Sequence, residues 1–377
     1  MSSTTPFVVR WAIIGAGWIS EQFVHDLAMD PSTRDVNDVA HAIVAVGSRT
    51  KAKAEAFIKD YCPEGGFAQK AGYCDLPVVA VEGYDAVYAR DDVDCVYIGT
   101  PHNDHYFSAK AALEANKHVL CEKPSTINAR QMKELAALAE AKGLFFMEAV
   151  WTRFFPLMYA LQKDIHETKV LGDIHQVNAD FSIKGVGREY LDEGVPLSHR
   201  LLNPDLAGGA ILDLGPYPLT WGLMTLFHHP ENKLAPPTAV SSSMQLHPET
   251  GVDIFTTFVL DFPKMTARAN LTCNLVVESP ADCTARIQGT KGEIIVPRPA
   301  PRPEKYIIRL DNGEETVKEF PVPGNGYHWE ADAVARCLRD GLKECDRMTV
   351  SESIMSMELM DEFRKQGGYE FPASLAQ

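Results

Sequence analysis

Trp11-Ala12-Ile13-Ile14-Gly15-Ala16-Gly17-Trp18-Ile19-Ser20 is an apolar run that breaks at two glycines and continues as an amphipathic segment to residue 29. The pattern predicts a strand over 8–14, a tight turn, and a helix over 17–29. Glycines at such a turn let the backbone approach a pyrophosphate. The helix that follows offers unpaired N–H groups and the positive end of its dipole. Serine stands at Ser20 where a third glycine is usual, so the position between strand and helix carries the reading rather than the spacing alone. Gly15, Gly17, Trp18 and Ile19 are candidate dinucleotide contacts.

Working outward, Ala42–Gly47 reads as a second strand after an Asp/Pro/Asn-rich insert over 30–41, and Lys51–Asp60 as a helix. Val93–Gly99 is a third buried strand, ending at Thr100-Pro101-His102-Asn103-Asp104-His105. A helix over about 105–116, a strand His118–Cys121 and a helix over about 128–142 follow. Strands alternating with helices of this length indicate βαβ units and a Rossmann-type, doubly wound parallel sheet. Beyond Trp151 the pattern changes. Strand-like runs over 173–183, 238–247, 252–262, 265–277, 283–288, 292–296, 305–310 and 315–320 lie close together, several joined by short turns such as Asp311-Asn312-Gly313. This spacing predicts an α+β domain with a mainly antiparallel sheet, with helices over about 209–227, 328–340 and 351–366. The expected division is residues 1–150 for the first domain and 151–377 for the second. The Pro-rich stretch Val296–Pro303 is too proline-dense for either regular structure.

Composition excludes several classes. With 377 residues and 45% hydrophobic content, two cores are available. Thirty-six basic residues against 51 acidic ones give a net charge of −15, which argues against a broad nucleic-acid or membrane surface. No apolar run approaches the length of a membrane span. The N-terminal Met1-Ser2-Ser3-Thr4-Thr5-Pro6 does not read as a signal peptide, nor Ala373–Gln377 as a prenylation or peroxisomal signal. The eight cysteines show no C-x-x-C spacing and read as reduced thiols, as expected of a cytoplasmic protein. The sequon Asn270-Leu271-Thr272 falls inside a strand-like run.

Four motifs carry chemistry. The second strand ends in Gly47-Ser48-Arg49-Thr50, where an NAD enzyme usually places an acid for the ribose 2′-hydroxyl. Ser48 can hydrogen-bond a 2′-phosphate, and Arg49 can pair with it and stack on adenine, so NADP is the expected cofactor. His102 and His105 have H-x-x-H spacing without an obvious third ligand; roles beside the cofactor, as positioning or capping groups with Thr100 and Pro101, are favoured over metal binding. Lys123, in Cys121-Glu122-Lys123-Pro124, follows a parallel strand. Beside a nicotinamide cation its ammonium form would be disfavoured, which suits acid–base work. Asp213 and Tyr217 lie four residues apart, on one face of a helix if the helix is continuous. Pro216 and Pro218 fit best within a first turn; in a helix starting at Gly209, Pro218 would introduce a kink.

These residues in this order resemble the glucose–fructose oxidoreductase/inositol dehydrogenase (Gfo/Idh/MocA) family along nearly the whole chain. The resemblance implies a dinucleotide-binding domain and an α+β domain with a large open sheet. It also implies a catalytic lysine at Lys123, with Glu122 beside the cofactor. Met147-Glu148-Ala149-Val150-Trp151-Thr152-Arg153-Phe154-Phe155-Pro156 is similar to the signature of one branch, the dimeric dihydrodiol dehydrogenases and fungal NADP-dependent D-xylose 1-dehydrogenases. That branch pairs Asp with Tyr where inositol dehydrogenases pair Asp with His. By this resemblance Lys123 and Tyr217 act on a substrate hydroxyl, Asp213 orients the site, and Trp151, Arg153 and Phe181 line a sugar or diol pocket. One departure is His175 after Gly172-Asp173-Ile174, where the dihydrodiol dehydrogenases carry an arginine; His175 is the corresponding substrate-side candidate. The implied activity is NADP-dependent oxidation of the anomeric hydroxyl of D-xylose or a similar aldose to the lactone, by a homodimer that uses no metal. A dihydrodiol dehydrogenase or dicarbonyl-sugar reductase would use the same residues. A non-catalytic dinucleotide-binding regulator would share the fold, but keeping Lys123, Tyr217 and Trp151 together argues against it.

Overall fold

The computed structural model describes residues 5–183 and 195–375. Met1–Thr4 and the last two residues, part of the terminal stretches read above, lie outside the described residues. The chain divides into two compact units, Met1–Trp151 with Val322–Ile354, and Thr152–Pro321 with Met355–Gln377.

In the first unit six parallel strands, β1 (Phe7–Ile14), β2 (Val39–Ser48), β3 (Val79–Glu82), β4 (Cys95–Ile98), β5 (His118–Glu122) and β6 (Phe146–Ala149), lie in the order β3-β2-β1-β4-β5-β6. Every residue of β2 is buried, as expected of a strand covered on both faces. Strand order reverses between β1 and β4, the switch point where ligands of such sheets bind beyond the strands' C-terminal ends.

The last part of this unit comes from the far end of the chain, which the expected division at residue 150 did not foresee. Helix His328–Arg339 packs on β1, β2 and helix Trp18–Leu27. Two buried carboxylates hold it there. Asp26 accepts the backbone N–H groups of Asn325, Gly326 and Tyr327 at 2.7–3.1 Å. Asp332 takes a two-pronged bond from Arg34 at 2.8 Å and a contact at 2.9 Å from Nε2 of His41. Trp11 donates its indole N–H to the other ring nitrogen of His41. A neutral imidazole therefore donates toward Asp332, in keeping with the downward push of burial on its pKa.

The second unit is built on eight strands, β7 (Ile174–Ser182), β8 (Thr238–Leu246), β9 (Asp253–Phe262), β10 (Ala267–Asn274), β11 (Ala285–Gly289), β12 (Gly292–Val296), β13 (Lys305–Leu310) and β14 (Glu315–Glu319). Their order is β14-β13-β12-β11-β7-β10-β9-β8. All neighbours are antiparallel except β7 and β10. The helical segment expected over 209–227 is interrupted. Ala210–Asp213 forms one turn, and the chain restarts at Pro216–Gly222 and widens into a π-type turn over Leu223–Phe227. The restart puts Pro216 and Pro218 in a first turn, where their missing N–H groups cost little. The segment packs on β7, β9 and β10. Gly222 allows the close approach: a Cβ there would sit 3.3 Å from that of Ala269. The Pro-rich stretch leaves β12 through bends and a turn at Ala300-Pro301, and its carbonyls are used. Ala300 accepts from the Trp221 indole at 3.3 Å and Pro301 from the Thr152 hydroxyl at 2.6 Å.

Candidate active site

The first unit gathers the glycine turn, the Thr100 turn and the lysine turn beyond the C-terminal ends of the adjacent strands β1, β4 and β5. Gly15 has φ +91°, and a Cβ on it would lie 2.8 Å from the Gly99 carbonyl oxygen, so glycine is required. Gly17 is different. A Cβ there would meet nothing within 4 Å, and no side chain caps the helix it precedes. Open space beside uncapped N–H groups fits the pyrophosphate of a dinucleotide. Trp18 is two-thirds exposed beside it, and Ile19 is half-buried. Ser20 is fully buried against Gly99, where a Cβ would come within 2.4 Å of its hydroxyl. The close packing of helix on strand that a third glycine would give is thus supplied from the Gly99 side.

At the end of β2, Ser48 is nearly covered while Arg49 is exposed. Thr50 caps the following helix through the backbone N–H of Lys53. Arg49 is therefore the accessible group of the pair read as selecting the 2′-phosphate.

Pro101 is exposed, His102 half-buried and Thr100 almost covered. His105 is buried, with its ring nitrogens 2.7 Å from the carbonyl oxygens of Pro124 and Thr100. Burial, and then the neighbouring His102, push its pKa down to about 3, so a neutral ring donates to one of the two. His105 lies beneath the Thr100 turn and the lysine turn, hydrogen-bonded to one of them and packed against the other.

Lys123 is part-exposed, and the Lys123–Pro124 bond is cis. Glu122, expected beside the cofactor, is instead buried under the turn. It accepts the Tyr97 hydroxyl at 2.8 Å and the Lys123 backbone N–H at 3.2 Å. Glu148 accepts the Ser125 N–H at 3.1 Å. Glu330 is completely buried; burial, then the charge of Glu122, pushes its carboxyl well above the usual range. Tyr97 and Glu148 support the lysine turn; Glu148 lies in the signature over 147–156, whereas no motif marks Tyr97 in the sequence. Trp151 is buried and stacked on Tyr327, ring centres 4.2 Å apart, so one face of the indole is already covered.

In the second unit Asp213 ends the short turn Ala210–Asp213 and Tyr217 sits in the first turn of the next helix. Phe181, at the end of β7, meets the Tyr217 ring edge-on at 4.9 Å, so these two expected pocket residues come together. The Gly208-Gly209 turn before them is tightly determined. Gly209 has φ +122°, and a Cβ on it would fall 2.1 Å from Oδ1 of Asp253. The other carboxylate oxygen of Asp253 accepts from the Ile211 N–H at 2.8 Å and the Thr256 hydroxyl at 2.7 Å. Tyr369 donates its hydroxyl to the Gly208 carbonyl. Burial pushes Asp253 up to about 6.

Arg153 is only 1% exposed and reaches the sulfur of Met224, buried like the other candidate pocket residues Trp151 and Tyr217. One expectation is corrected. His175 is exposed at the start of β7, within hydrogen-bond distance of the Thr266 carbonyl. Six residues of extended strand, about 20 Å, separate it from Phe181. The arginine that does stand beside Asp213 is Arg200, at 3.0 Å.

A family model described as the oxidoreductase family with an NAD-binding Rossmann fold matches residues 9–150, and the GFO/IDH/MocA C-terminal domain matches 159–295. The D-xylose 1-dehydrogenase (NADP(+)) of Hypocrea jecorina is 40% identical, over 99% of this chain and 95% of its own. The trans-1,2-dihydrobenzene-1,2-diol dehydrogenase of Homo sapiens is 33% identical over 97% and 98%. Among solved structures, a 3-ketoreductase from Actinomadura kijaniata in complex with NADP and TDP-benzene superposes with a TM-score of 0.76. It covers 95% of this chain and 97% of its own at 23% identity, a likeness of fold. Matched in both halves, and by a relative along nearly its full length, the chain belongs to the GFO/IDH/MocA family of oxidoreductases.

Proposed function

We propose that the protein oxidises the anomeric hydroxyl of an aldose, D-xylose in the first instance, to the lactone with NADP⁺. The observation that carries this reading is the 40% identity to the Hypocrea D-xylose 1-dehydrogenase (NADP(+)) over nearly both whole chains. The open helix N-terminus at Gly17 and the exposed Arg49 support it. Bound NADP⁺ supplies the hydride acceptor. Arg49 is assigned to its 2′-phosphate, and Gly15, Gly17, Trp18 and Ile19 to its pyrophosphate end. Of the first unit's residues, Lys123 is assigned to the proton of the substrate hydroxyl, held by a turn that Glu122 and His105 fix from below. Of the second unit's, Tyr217 is assigned the same kind of work, with Asp213 as its orienting partner and Phe181 against its ring. Thr100, Pro101 and His102 stay candidates for the cofactor side, and one face of Trp151 for the sugar.

No helix among the described residues is long and apolar enough to cross a membrane. All eight cysteines are unpaired, which supports a reducing, cytoplasmic setting. A homodimer belongs to the same reading and is checked by light scattering.

The test is absorbance at the reduced-nicotinamide band with D-xylose and either NADP⁺ or NAD⁺. Rapid formation of NADPH and slow formation of NADH is the expected outcome. Turnover of a dihydrodiol but not of xylose would move the assignment to the activity named for the mammalian relatives. No turnover with any sugar or diol would overturn it. Lys123→Ala should lower kcat by roughly 10²–10⁴-fold while calorimetry shows NADP⁺ binding unchanged.

A further inference from the structure

Arg200 lies thirteen residues before Asp213, with no helical or strand spacing to connect them. The loop between doubles back. Leu202 and Asn203 donate to the His199 carbonyl, Gly209 donates to that of Leu201, and a Cβ on Gly208 would sit 2.8 Å from the Leu201 carbonyl. That close approach sets the guanidinium of Arg200 on Oδ1 of Asp213 at 3.0 Å. The arginine side chain is half-exposed and that of Asp213 one-tenth exposed. The pair therefore stands at the edge of solvent. Asp213 lies four residues before Tyr217, whose charge acts on Arg200.

We propose that Arg200 is a positioning residue for the reaction: it holds Asp213 in place, and its charge favours the ionised form of the Tyr217 phenol.

The inference rests on the reading of Tyr217 as an acid–base residue. The charges of Asp213 and Tyr217 both strengthen the arginine's hold on its proton. By reciprocity its cation stabilises an anion at either partner. Carboxylates in the neighbourhood pull the other way. Asp180 on β7 and Asp253 on β9 act, with Asp213, on Cys273 of β10. Burial pushes Asp180 up and Asp253 up to about 6, and Arg364 faces Asp253. The Cys273 thiol is driven well up and is neutral. His199 is pushed down by burial and by Arg200, leaving its ring neutral at ordinary pH. Arg200 is thus the cation that offsets this acidic surrounding at Asp213. A loop arginine can in this way serve the second unit's polar end, where His175 stands too far along β7 to do so.

The phenol is read directly. With 3-fluorotyrosine incorporated, the Tyr217 fluorine resonance is identified by its loss in Tyr217→Phe, and its titration is followed in the wild type, Arg200→Met and Arg200→Lys. R200M should raise the midpoint by about one pH unit, and R200K should keep it within a few tenths. The rising, acid-side limb of the kcat–pH profile for oxidation, where the phenolate base forms, should move up with it, with KM for NADP⁺ unchanged. If R200M does not fold, R200Q, which keeps a donor toward Asp213 without charge, takes its place. An unchanged midpoint in a folded, uncharged variant overturns the proposal. The midpoint needs no turnover, so a wild type inactive on aldoses would sink the proposed function and leave this comparison to decide the role of Arg200.

Discussion

Arg49 is exposed directly after β2, and a neighbouring serine that shares its motif is nearly covered. Charge-assisted bonds to a phosphate are among the stronger ones a side chain can make, about 1.5–3 kcal/mol. Arg49→Gln should therefore raise KM for NADP⁺ roughly 10- to 100-fold and leave KM for NAD⁺ within a factor of about two, read from initial rates with each cofactor. Residues of this kind are legible because they act from a fixed place beside a strand end: Gly15, Gly17, Arg49 and Lys123 follow β1, β2 and β5 within a few positions. Arg200 is not, because it reaches Asp213 through a chain reversal that no local spacing records. His175 misleads for the opposite reason. Its place after Gly172-Asp173-Ile174 made it a substrate-side candidate by resemblance, and the strand's length carries the pocket residue Phe181 to the other end of β7.

At the scale of elements, alternation of apolar and turn residues located most strands, since burial on one or both faces writes itself into composition. Two of the six parallel strands went unread. β3 is four residues long and only half-buried, and β6 sits in an apolar run indistinguishable from a helix end. The broken helix around Asp213 was legible through its prolines, but its anchor was not, because Asp253 reaches it from β9, forty-two residues on. That anchor matters to any chemistry at Asp213 and Tyr217. Gly209 occupies a backbone region open essentially to glycine, and its missing Cβ is the space that Asp253 fills. Asp253→Ala removes the acceptor of a buried N–H and a buried hydroxyl, at about 1–3 kcal/mol each. It should lower the midpoint of urea unfolding and reduce kcat more than tenfold, with NADP⁺ affinity in calorimetry preserved. Gly209→Ala should give the same pattern. A variant of either kind with normal kcat would show that the turn is not what places Asp213.

At the scale of the whole molecule, the segment Val322–Ile354 belongs to the compact unit begun three hundred residues earlier. Composition could not reveal this, since helix His328–Arg339 has the amphipathic pattern of any surface helix and its acids are ordinary ones. The structure gives those acids distinct tasks. Burial alone would raise the Asp332 carboxyl, but hydrogen bonds from Arg34 and His41, with the charge of Arg34, overcome it and hold the carboxyl well below its ordinary value. A folded-state value below the unfolded one means that the stabilisation is complete above the unfolded range, near 4, and is lost as pH falls through the folded value. Asp38, paired with Arg336 and Arg339 at the other end of the same helix, is lowered to about 2 and adds to the same acid limb. Removing one partner of a buried pair costs about 3–5 kcal/mol. Asp332→Asn should therefore lower the thermal midpoint at pH 7 by roughly 10 °C. It should also flatten the fall of that midpoint between about pH 4 and 2, as followed by circular dichroism. Because Asp26 and Asp332 both fasten this segment, hydrogen exchange in D332N should rise over 325–340 and stay unchanged in β7–β14. Uniform loss of protection throughout the chain would mean instead that the segment is a keystone of the entire fold rather than the clasp of one unit.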